Sequence, residues 1–350
     1  MLPIQKIEIT ELLQNQEQFV IVDVRSAKEY EEDHIPGAVS MPILTDEERH
    51  EVGTLYKQVS KETAKEQGLI YAAPKLLNYY RFARDTVKSG KRICFACFRG
   101  GMRSHSVATV VTMMNIPAYV LEGGYKAYRQ EVNRFFEGPM PFSLLVLHGY
   151  TGVGKSLALE ALEKRGEPIV HLERLAMNSG SVYGNVFYDD RTVTQKNFES
   201  ALYAEIHANL RSGKKYAWVE SEGKRVGKAV LPAQFYQATA EGTHIRLETT
   251  IAQRIQNLYR DYSEGGRLEI LIAATNRLRK RLGHERCDKI LKAIHKDCME
   301  EAIQELLIYY YDPLYEHSMD WPYSATVYYE NPLELADKLV QWHQSEKEKS

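Results

Sequence analysis

The sequence has little cysteine, no long hydrophobic run and almost no net charge. Its 350 residues include four cysteines, too few for the disulfide framework of a small secreted domain. No apolar stretch approaches the roughly 20 residues that a membrane-spanning helix needs. Met1–Lys6 is followed by acidic and polar sequence rather than by an apolar run, which argues against a secretory signal. We therefore expect a cytoplasmic protein without a membrane partner, in a reducing compartment where a free thiolate persists.

The charge balance excludes a strong basic field over the whole molecule. The formal net charge at pH 7 is -2. Any nucleic-acid binding must then use a local patch of lysine and arginine, and a small-molecule enzyme fits the same balance. At 350 residues the chain is longer than one hydrophobic core usually extends, so we expect two domains.

The order of apolar runs and helical patterns predicts two α/β domains in series. Short β-branched runs alternate with helical stretches in the first, which is typical of a largely parallel sheet. Two prolines and a glycine in Glu137–Pro141 suit a linker. We predict a first domain over residues 1–136, a linker over 137–142 and a second α/β domain over 143–350. The predicted strands are Phe19–Val24, Lys91–Ala96, Ala118–Leu121, Ser143–His148, Pro168–Leu172, Tyr216–Glu220 and His244–Leu247.

Helical patterns lie between these strands and dominate the last third of the chain. Sequence from Ile251 to about Tyr311 is predicted to be mostly helical and is rich in arginine and lysine. The biased tail, Ser345–Ser350, is expected to be frayed and solvated. Other predicted helices are Pro74–Lys88, Arg103–Met114 and Leu157–Lys164.

Cys97 directly follows a predicted strand and opens a glycine-containing loop that leads into a helix. Glycines let the loop curl so that successive N–H groups face inward, and the helix adds its positive N-terminus. Both effects favour a thiolate, and Arg99 or Arg103 can supply a cation. We therefore predict that Cys97 is an ionised nucleophile that solvent and substrate can reach. The loop reads Cys97-Phe98-Arg99-Gly100-Gly101-Met102-Arg103-Ser104.

Two alternatives to a nucleophilic Cys97 stay open. A buried structural cysteine is the commonest fate of a cytosolic cysteine, and that interpretation fits Cys94, which lies within the apolar strand. Cys94 and Cys97 also form a C-x-x-C pair, which suits a redox or zinc role. No second pair of matching spacing accompanies it, and Cys94 is expected to point into the core.

The first domain resembles the rhodanese family over roughly residues 5 to 135. The similarity is carried by the Cys97 loop and by three further motifs, and it implies a single rhodanese domain whose Cys97 carries a persulfide or a similar adduct. Five residues separate Cys97 from Arg103, whereas many rhodanese loops have four, and the wider loop resembles that of dual-specificity phosphatases. A loop of this width can admit selenium or a phosphate oxyanion. The further motifs are Asp23-Val24-Arg25 with Glu29-Tyr30, His34-Ile35-Pro36-Gly37-Ala38, and Glu122-Gly123-Gly124 with Tyr128.

A phosphate-binding loop begins the second domain. The segment follows a predicted strand, opens a predicted helix and fits G-x-x-x-x-G-K-[ST] in full. Backbone N–H groups of such a loop cradle phosphate oxygens, Lys155 neutralises charge, and Ser156 can reach Mg²⁺ if the ion is bound. Glu220, at the end of Tyr216–Glu220, is a candidate to hold the ion, while Glu222 can instead pair with Lys224 or Arg225. The loop reads Gly149-Tyr150-Thr151-Gly152-Val153-Gly154-Lys155-Ser156.

The whole chain resembles the tRNA 2-selenouridine synthase family of bacterial tRNA-modifying enzymes. Besides the two loops, Val219-Glu220-Ser221-Glu222 and Tyr309-Tyr310-Tyr311-Asp312-Pro313-Leu314-Tyr315 carry the similarity. The chain departs from the family pattern at Asn178-Ser179-Gly180-Ser181, where His-Arg-Gly-Ser is expected, and at Gly223, where serine is expected. The missing arginine puts in doubt any phosphate contact assigned to that segment.

This resemblance implies a two-stage reaction on the wobble 2-thiouridine of tRNA. Geranyl diphosphate first alkylates the sulfur, and selenophosphate then supplies selenium while the S-geranyl group leaves. The implied partners are tRNA carrying wobble 2-thiouridine and an enzyme that supplies selenophosphate. The phosphate loop can hold geranyl diphosphate, ATP or selenophosphate, and these remain alternatives, as does a requirement for Mg²⁺.

Basic residues in the helical segment are candidates for RNA binding. The densest cluster is Arg277, Arg279, Lys280 and Arg281, which can follow a phosphate backbone. The alternative is a solvated helix face with glutamate partners. Tyr309–Tyr311 can stack an unpaired base, but core packing at the end of an apolar helical run is the preferred interpretation. The other basic residues of the segment are Arg254, Arg260, Arg267, Arg286 and Lys289.

Three other functions compete with selenium transfer. The first is a rhodanese-type sulfurtransferase with an ATP-binding regulatory P-loop domain. The second is a phosphatase that uses Cys97 and Arg103, which usually needs a carboxylic general acid near the loop. The third is a module that binds ligands at both loops without catalysis.

Overall fold

The computed structural model of the chain describes residues 2–178, 193–263, 268–315 and 321–349. It divides into two compact units, Met1–Glu137 with Glu199–Ala201, and Gly138–Phe198 with Leu202–Ser350. The predicted domain bounds, 1–136 and 143–350, and the linker proposed for residues 137–142 stay predictions. Within the described ranges, no helix combines the length and the apolar character that crossing a membrane requires.

Unit 1 is built on a parallel sheet whose order is β1-β5-β4-β2-β3 in the described part of the chain. The three strands predicted here are confirmed, with ends shifted by one residue at most. β4 lies at the centre of the sheet, and Cys97 follows it directly. The strands are β1 (Gln5–Ile7), β2 (Phe19–Asp23), β3 (Val39–Ser40), β4 (Arg92–Ala96) and β5 (Tyr119–Leu121).

The helices of unit 1 begin at clear sequence signals. Ser26 and Thr45 each form a capping box with the glutamate three residues later, so α2 and α3 start where their side chains satisfy free N–H groups. The helix predicted from Pro74 begins two residues later, after a 3₁₀ turn over Ala73–Lys75. The helices are α1 (Ile9–Gln14), α2 (Ala27–Glu32), α3 (Asp46–Gln58), α4 (Lys61–Ala72), α5 (Leu76–Lys88), α6 (Met102–Met113) and α7 (Gly124–Glu137).

Unit 2 contains a second parallel sheet, ordered β12-β11-β6-β8-β7 in the described residues, and a short antiparallel pair, β9–β10. The strand predicted over Pro168–Leu172 is shorter, because the His171 side chain accepts the N–H of Arg174 and starts a helix at Leu172. The strands are β6 (Ser143–His148), β7 (Ile169–Val170), β8 (Tyr216–Glu220), β9 (Arg225–Val226), β10 (Ala229–Val230), β11 (Thr243–Glu248) and β12 (Ala325–Tyr328).

Helices surround this sheet and continue into the helical part that the sequence predicted. That part has its own apolar core, in which Leu282, Ile290, Leu306 and Leu307 are buried. The helices are α8 (Lys155–Lys164), α9 (Leu172–Leu175), α10 (Gln195–Arg211), α11 (Ala233–Ala240), α12 (Ile251–Ser263), α13 (Leu268–Arg277), α14 (Arg279–Leu282), α15 (His284–His295), α16 (Met299–Leu306), α17 (Asp312–Tyr315) and α18 (Pro332–Lys349).

The prediction of a frayed tail is wrong up to residue 349. α18 continues through Ser345, whose hydroxyl donates to the carbonyl of Trp342 at 2.7 Å. Leu335, Ala336 and Leu339 of the same helix are fully buried against the strands of unit 2. Burial of the first turns anchors the helix, and its polar last turns extend from that anchor.

Candidate functional site

Cys97 occupies the carboxyl end of the central strand β4, at the start of α6. The N–H of Gly101 donates to Sγ at 3.1 Å, and the hydroxyl of Ser104 lies 3.2 Å from the same atom. Donors of this kind stabilise a negative sulfur, and the N-terminus of α6 adds its positive dipole end. The loop therefore carries the anion-favouring geometry that its glycines predict.

The expectation that Cys97 is open to solvent is wrong. Only 3% of its surface is exposed, and it belongs to the apolar cluster that includes Ile43, Leu44 and Val107. The residue lies at the base of its loop, because the following backbone folds over it. Cys94 lies three residues earlier, within β4, and is fully buried. Burial raises the pKa of its thiol to about 12. Cys94 is thus the structural cysteine of the pair, as expected.

Glycines hold the cysteine loop against the start of α7. Gly124 has a φ of +59°, and a Cβ there would lie 2.1 Å from the carbonyl oxygen of Cys97. The N–H groups of Tyr125 and Lys126 donate to the carbonyls of Cys97 and Phe98 at 2.9 and 3.0 Å. The Glu122-Gly123-Gly124 motif therefore shapes the loop, because only a residue without a side chain fits this contact.

The two arginines of the loop have different surroundings. Arg103 donates to both carboxylate oxygens of Glu29, at 2.6 and 3.2 Å. Burial raises the pKa of Glu29, but the hydrogen bond and charge of Arg103 outweigh burial and hold that pKa below its usual value. Arg99 is exposed, with its guanidinium 5.7 Å from the Phe98 ring centre. Arg103 is the cation with a fixed position, and Arg99 is a surface cation.

The Asp23-Val24-Arg25 motif contributes a buried ion pair that supports unit 1, and it does not form part of the cysteine loop. Asp23 and Arg25 are almost completely buried and paired at 2.6 Å. Arg25 also donates to the carbonyl of Asp33 at 2.7 Å and stacks on the Tyr125 ring, 3.8 Å from its centre. A buried pair with this many partners orients β2, α2 and α7 around the loop.

In unit 2, the phosphate loop joins β6 to α8. Gly152 and Gly154 have φ values of +77° and +82°, which this turn requires. Lys155 begins α8 and donates to the carbonyl of Gly149 at 3.3 Å, so its ammonium group lies at the mouth of the loop. The N-terminus of α8 and the lysine together provide a site for phosphate oxygens.

Side chains from α12 and β12 hold this loop from outside. Arg254 donates to the carbonyl of Thr151 at 2.9 Å, and Asn257 donates to that of Gly152 at 2.8 Å. Tyr329, directly after β12, donates to the carbonyl of Val153 at 2.8 Å. Arg254 is only 7% exposed and also pairs with Asp312. Arg254, which the sequence showed only as one basic residue of the helical segment, therefore supports the phosphate loop.

Glu173 contacts Ser156, and two further carboxylates, Glu220 and Glu222, lie close to Glu173. The Ser156 hydroxyl donates to Glu173 at 2.8 Å, and the Glu173 N–H donates to Glu220 at 2.7 Å. The pKa of Glu222 is raised to about 8, chiefly by burial and also by the charges of Glu173 and Glu220, while Lys155 opposes the rise. No ion pair joins Glu222 to Lys224 or Arg225 in the described residues, so the simple surface pairing is wrong.

Glu173 and its neighbours His171 and Glu205 were not predicted from the sequence. Burial raises the pKa of Glu173, and Glu220 adds to the rise. Burial lowers the pKa of His171, but Glu220, 3.2 Å from its Nδ1, outweighs burial and leaves that pKa raised. Burial raises the pKa of Glu205 to about 7. The sequence offered one signal for this group: His171 and Glu173 lie at the end of the short apolar run that predicted β7.

The carboxylates around Ser156 fit a divalent cation. Oε2 of Glu220 is buried and has no hydrogen-bond partner in the described part of the chain. An orphaned carboxylate oxygen, beside a residue whose own carboxylate accepts a serine hydroxyl, belongs to the oxygen donors that Mg²⁺ prefers, with phosphate and water completing the shell. Ser156, Glu173 and Glu220 would hold the ion. A cluster of three or more histidine, cysteine or carboxylate side chains placed to hold a metal ion is absent from the described residues.

The candidate RNA-binding residues lie on α13 and α14. Arg277 and Lys280 are exposed, and neither has an ion pair among the described residues. Arg279 pairs with Asp288 at 2.6 Å, and Arg281 donates to the Tyr310 hydroxyl at 3.3 Å. Arg277 and Lys280 are therefore the members of this cluster with the most freedom to meet a phosphate.

The tyrosine run divides between core and surface. Tyr310 and Tyr311 are buried in the helical core, as core packing predicted, within a π-helical turn over Leu307–Tyr311. Tyr309 is exposed, with the guanidinium of Arg286 over its ring at 3.2 Å. The departing segment Ser179-Gly180-Ser181 and Arg267 lie outside the described residues, as does the side chain of Tyr315.

Fold and geometry define a protein with one α/β domain built around a cysteine loop and another built around a phosphate loop. The second half matches the family description "tRNA 2-selenouridine synthase AAA domain" over residues 142–348, and the first matches "Rhodanese-like domain" over residues 8–131. The match over residues 142–348 spans more than half of the chain, so it decides the family.

Individual proteins agree with these matches. A tRNA 2-selenouridine synthase from Sulfurovum sp. is 30% identical, with 92% of this chain and 94% of the relative covered. Another from Shewanella denitrificans is 29% identical, with 85% and 88% covered. A solved N-terminal domain of a candidate ATP/GTP-binding protein from Clostridium difficile 630 is 40% identical, covering 37% of this chain and 98% of that one, with a TM-score of 0.35. The chain belongs to the tRNA 2-selenouridine synthase family, a family of enzymes.

Proposed function

We propose that this enzyme replaces the sulfur of wobble 2-thiouridine in tRNA with selenium, through an S-geranylated intermediate, in a reducing cytoplasm. Family membership supports tRNA as the substrate and selenium as the element transferred. The finer assignment rests on one contact, the Gly101 N–H that donates to Cys97 Sγ at 3.1 Å. A sulfur held in this way is suited to soft, anionic chalcogen chemistry.

The first half-reaction fits the phosphate loop. The thiocarbonyl sulfur attacks C1 of geranyl diphosphate, the C–O bond breaks, and diphosphate leaves with the electron pair while N3 of the base loses its proton. Negative charge develops on the departing diphosphate. Lys155 and the N-terminus of α8 stabilise that charge, and Ser156 with Glu173 and Glu220 would hold Mg²⁺ against it.

The second half-reaction fits the Cys97 loop. Selenium from selenophosphate adds to C2 of the base, the C–S bond breaks, and geranyl thiol leaves with a proton. Water takes the place of selenium on phosphorus, so the products are 2-selenouridine, geranyl thiol and phosphate. Arg103 provides positive charge for an anionic selenium donor at this loop, while the Gly101 N–H holds the Cys97 sulfur beside it. An enzyme that makes selenophosphate is the expected supplier.

Separate assays of the two half-reactions test the assignment. Lys155→Ala should slow geranylation of a 2-thiouridine RNA by about 100-fold to 1,000-fold, because it removes a positive group that faces the leaving diphosphate. Cys97→Ala should geranylate normally and fail to convert S-geranylated RNA to selenouridine. Matched controls are Lys164→Ala on the exposed face of α8 and Cys298→Ala at the exposed cysteine.

The controls should behave as wild type in both assays. The reverse pattern, with Cys97→Ala blocking geranylation, would overturn the division of labour between the loops. Sulfur transfer without any geranylated product, together with ATP binding, would favour the sulfurtransferase with a regulatory P-loop domain.

A further inference from the structure

An apolar cavity of about 510 Å³ opens beside the cysteine loop, within unit 1. It lies between the helical pair α3–α4 and the first turns of α6. Most of its wall is aliphatic, from residues such as Val52, Leu69, Leu76 and Val110. Its volume falls in the range of roughly 300 to 1,000 Å³ that small-molecule sites occupy.

The cavity keeps large apolar side chains in contact with solvent. Leu69 is 64% exposed, Met102 is 58% exposed and Tyr56 is 51% exposed, and all three line the same opening. A monomer that exposes neighbouring apolar side chains around a concavity usually uses them to bind an apolar group. The sheet and α5 already give unit 1 a closed core, so these side chains are not needed for it.

The charges at the cavity are of one sign. Lys65 and Arg103 line it, and no carboxylate does so in the described part of the chain. Because Arg103 is paired with Glu29 behind the lining, Lys65 carries most of the positive charge at the opening. An apolar interior with a cationic edge complements a ligand that has an apolar chain and an anionic remainder. A nucleotide that carries a hydrocarbon chain on its base has this composition, because its backbone phosphates supply the negative charge.

The cavity also reaches the reactive loop. Met102 and Arg103, which line it, directly follow Gly101, the residue whose N–H contacts Cys97 Sγ. Its inner wall includes Ile43, which lies in the same buried cluster as Cys97. A chain bound here therefore lies next to the place where the second half-reaction is proposed to occur.

We propose that this cavity binds the ten-carbon isoprenoid chain of the S-geranylated base during selenium transfer. The inference rests on the proposed function, since it requires the geranyl intermediate. When the C2–S bond breaks, the departing geranyl thiol is already held in an apolar site. The cavity also makes the second step selective, because an unalkylated thiouridine gains nothing from it.

Two neighbouring residues of α4 allow a matched test. Leu69 lines the cavity, whereas Ile70 does not, and the two are similarly exposed at 64% and 58%. Leu69→Asp places a charge in the opening without disturbing the core, and Ile70→Asp places the same charge outside it. Selenation of an anticodon stem-loop with S-geranyl-2-thiouridine is compared with that of one with S-methyl-2-thiouridine, using selenophosphate as donor.

Wild type and Ile70→Asp should prefer the geranyl substrate, and Leu69→Asp should raise KM for that substrate at least tenfold while leaving the methyl substrate unchanged. Equal use of both substrates by wild type, or an equal loss on both in Leu69→Asp, would overturn the cavity assignment.

Binding of geranyl thiol itself, measured by titration calorimetry on the full chain, separates this inference from the proposed function. Binding that is weakened by Leu69→Asp but not by Ile70→Asp supports the cavity even if the enzyme fails to turn over either RNA. Normal two-step turnover with no binding difference between these variants leaves the proposed function standing and rejects the cavity.

Discussion

Gly124→Ala should damage the cysteine loop much more than its single methyl group suggests. The new Cβ would lie 2.1 Å from the carbonyl oxygen of Cys97 and 2.5 Å from the N of Gly100, whereas ordinary contacts begin at 3.4 Å. Both atoms belong to backbone, so the cysteine loop must move away by about 1 Å, and a misplacement of that size can cost about 100-fold in rate. We expect selenation of S-geranylated RNA to fall by at least that factor, with geranylation unchanged.

Gly90→Ala separates this steric effect from backbone strain. Gly90 also has a positive φ, +82°, but a Cβ there meets nothing within 4 Å. Alanine in the left-handed region costs about 1–2 kcal/mol at either position. Gly90→Ala should therefore lose about that much stability and keep its selenation rate, while Gly124→Ala loses more stability and nearly all of its rate.

Stability of unit 1 needs a probe other than tryptophan fluorescence. The three tryptophans of the chain, Trp218, Trp321 and Trp342, all belong to unit 2. Hydrogen exchange of peptides from β2 and β4 reports unit 1, and the fluorescence serves as an internal control for unit 2. Wild-type selenation by Gly124→Ala, with unchanged exchange in β4, would refute the claim that the contact with α7 shapes the reactive loop.

Two further predictions concern unit 2. Because the pKa of Glu222 is raised from 4.5 to about 8, the folded state holds a proton that the unfolded state has lost, so the free energy of unfolding should fall as pH rises from about 4.5 to 8. Glu222→Gln should flatten that fall in denaturation followed by tryptophan fluorescence, and an unchanged slope would contradict the burial of this carboxyl. Arg277→Ala and Lys280→Ala should each weaken tRNA binding and reduce the slope of log K against log salt by about 1, whereas Arg279→Ala, whose partner is Asp288, should have a smaller effect. A slope unchanged from wild type in both Arg277→Ala and Lys280→Ala would exclude this surface.

Much of the fold could be predicted because most of the inner strands have a clear sequence signal. Phe19–Asp23, Arg92–Ala96 and Tyr216–Glu220 are buried, β-branched or aromatic runs between turns, and such runs are typical of parallel sheets covered on both faces. β12 was missed because only Val327 within Ala325–Tyr328 is buried. The helical end of α18 was missed because its last turns are polar, and only the burial of earlier turns explains it.

The candidate site could be located only in part. The two loops stand out because each places glycines between a strand and a helix within a few residues. Glu173 could not be found, since α9 has four residues and leaves no periodic pattern. The role of Arg254 could not be predicted, because a basic residue on a helix looks the same in sequence whether it faces solvent or a loop carbonyl. Its partners, Thr151 and Asp312, are 103 and 58 positions away in sequence.

The two loops share one construction and differ at its first position, and that difference fits the two chemistries proposed for them. Cys97 and Gly149 each follow the last residue of an inner strand, and a helix begins a few residues later. At Cys97 the side chain itself takes the place of the anion, with its sulfur against the Gly101 N–H. At Gly149 no side chain is present, and Cγ1 of Val153 lies 2.5 Å from where a Cβ would stand, so an anion in this turn has to come from outside. An anion-favouring turn thus becomes a nucleophile site or a phosphate site according to whether its first residue carries a thiol.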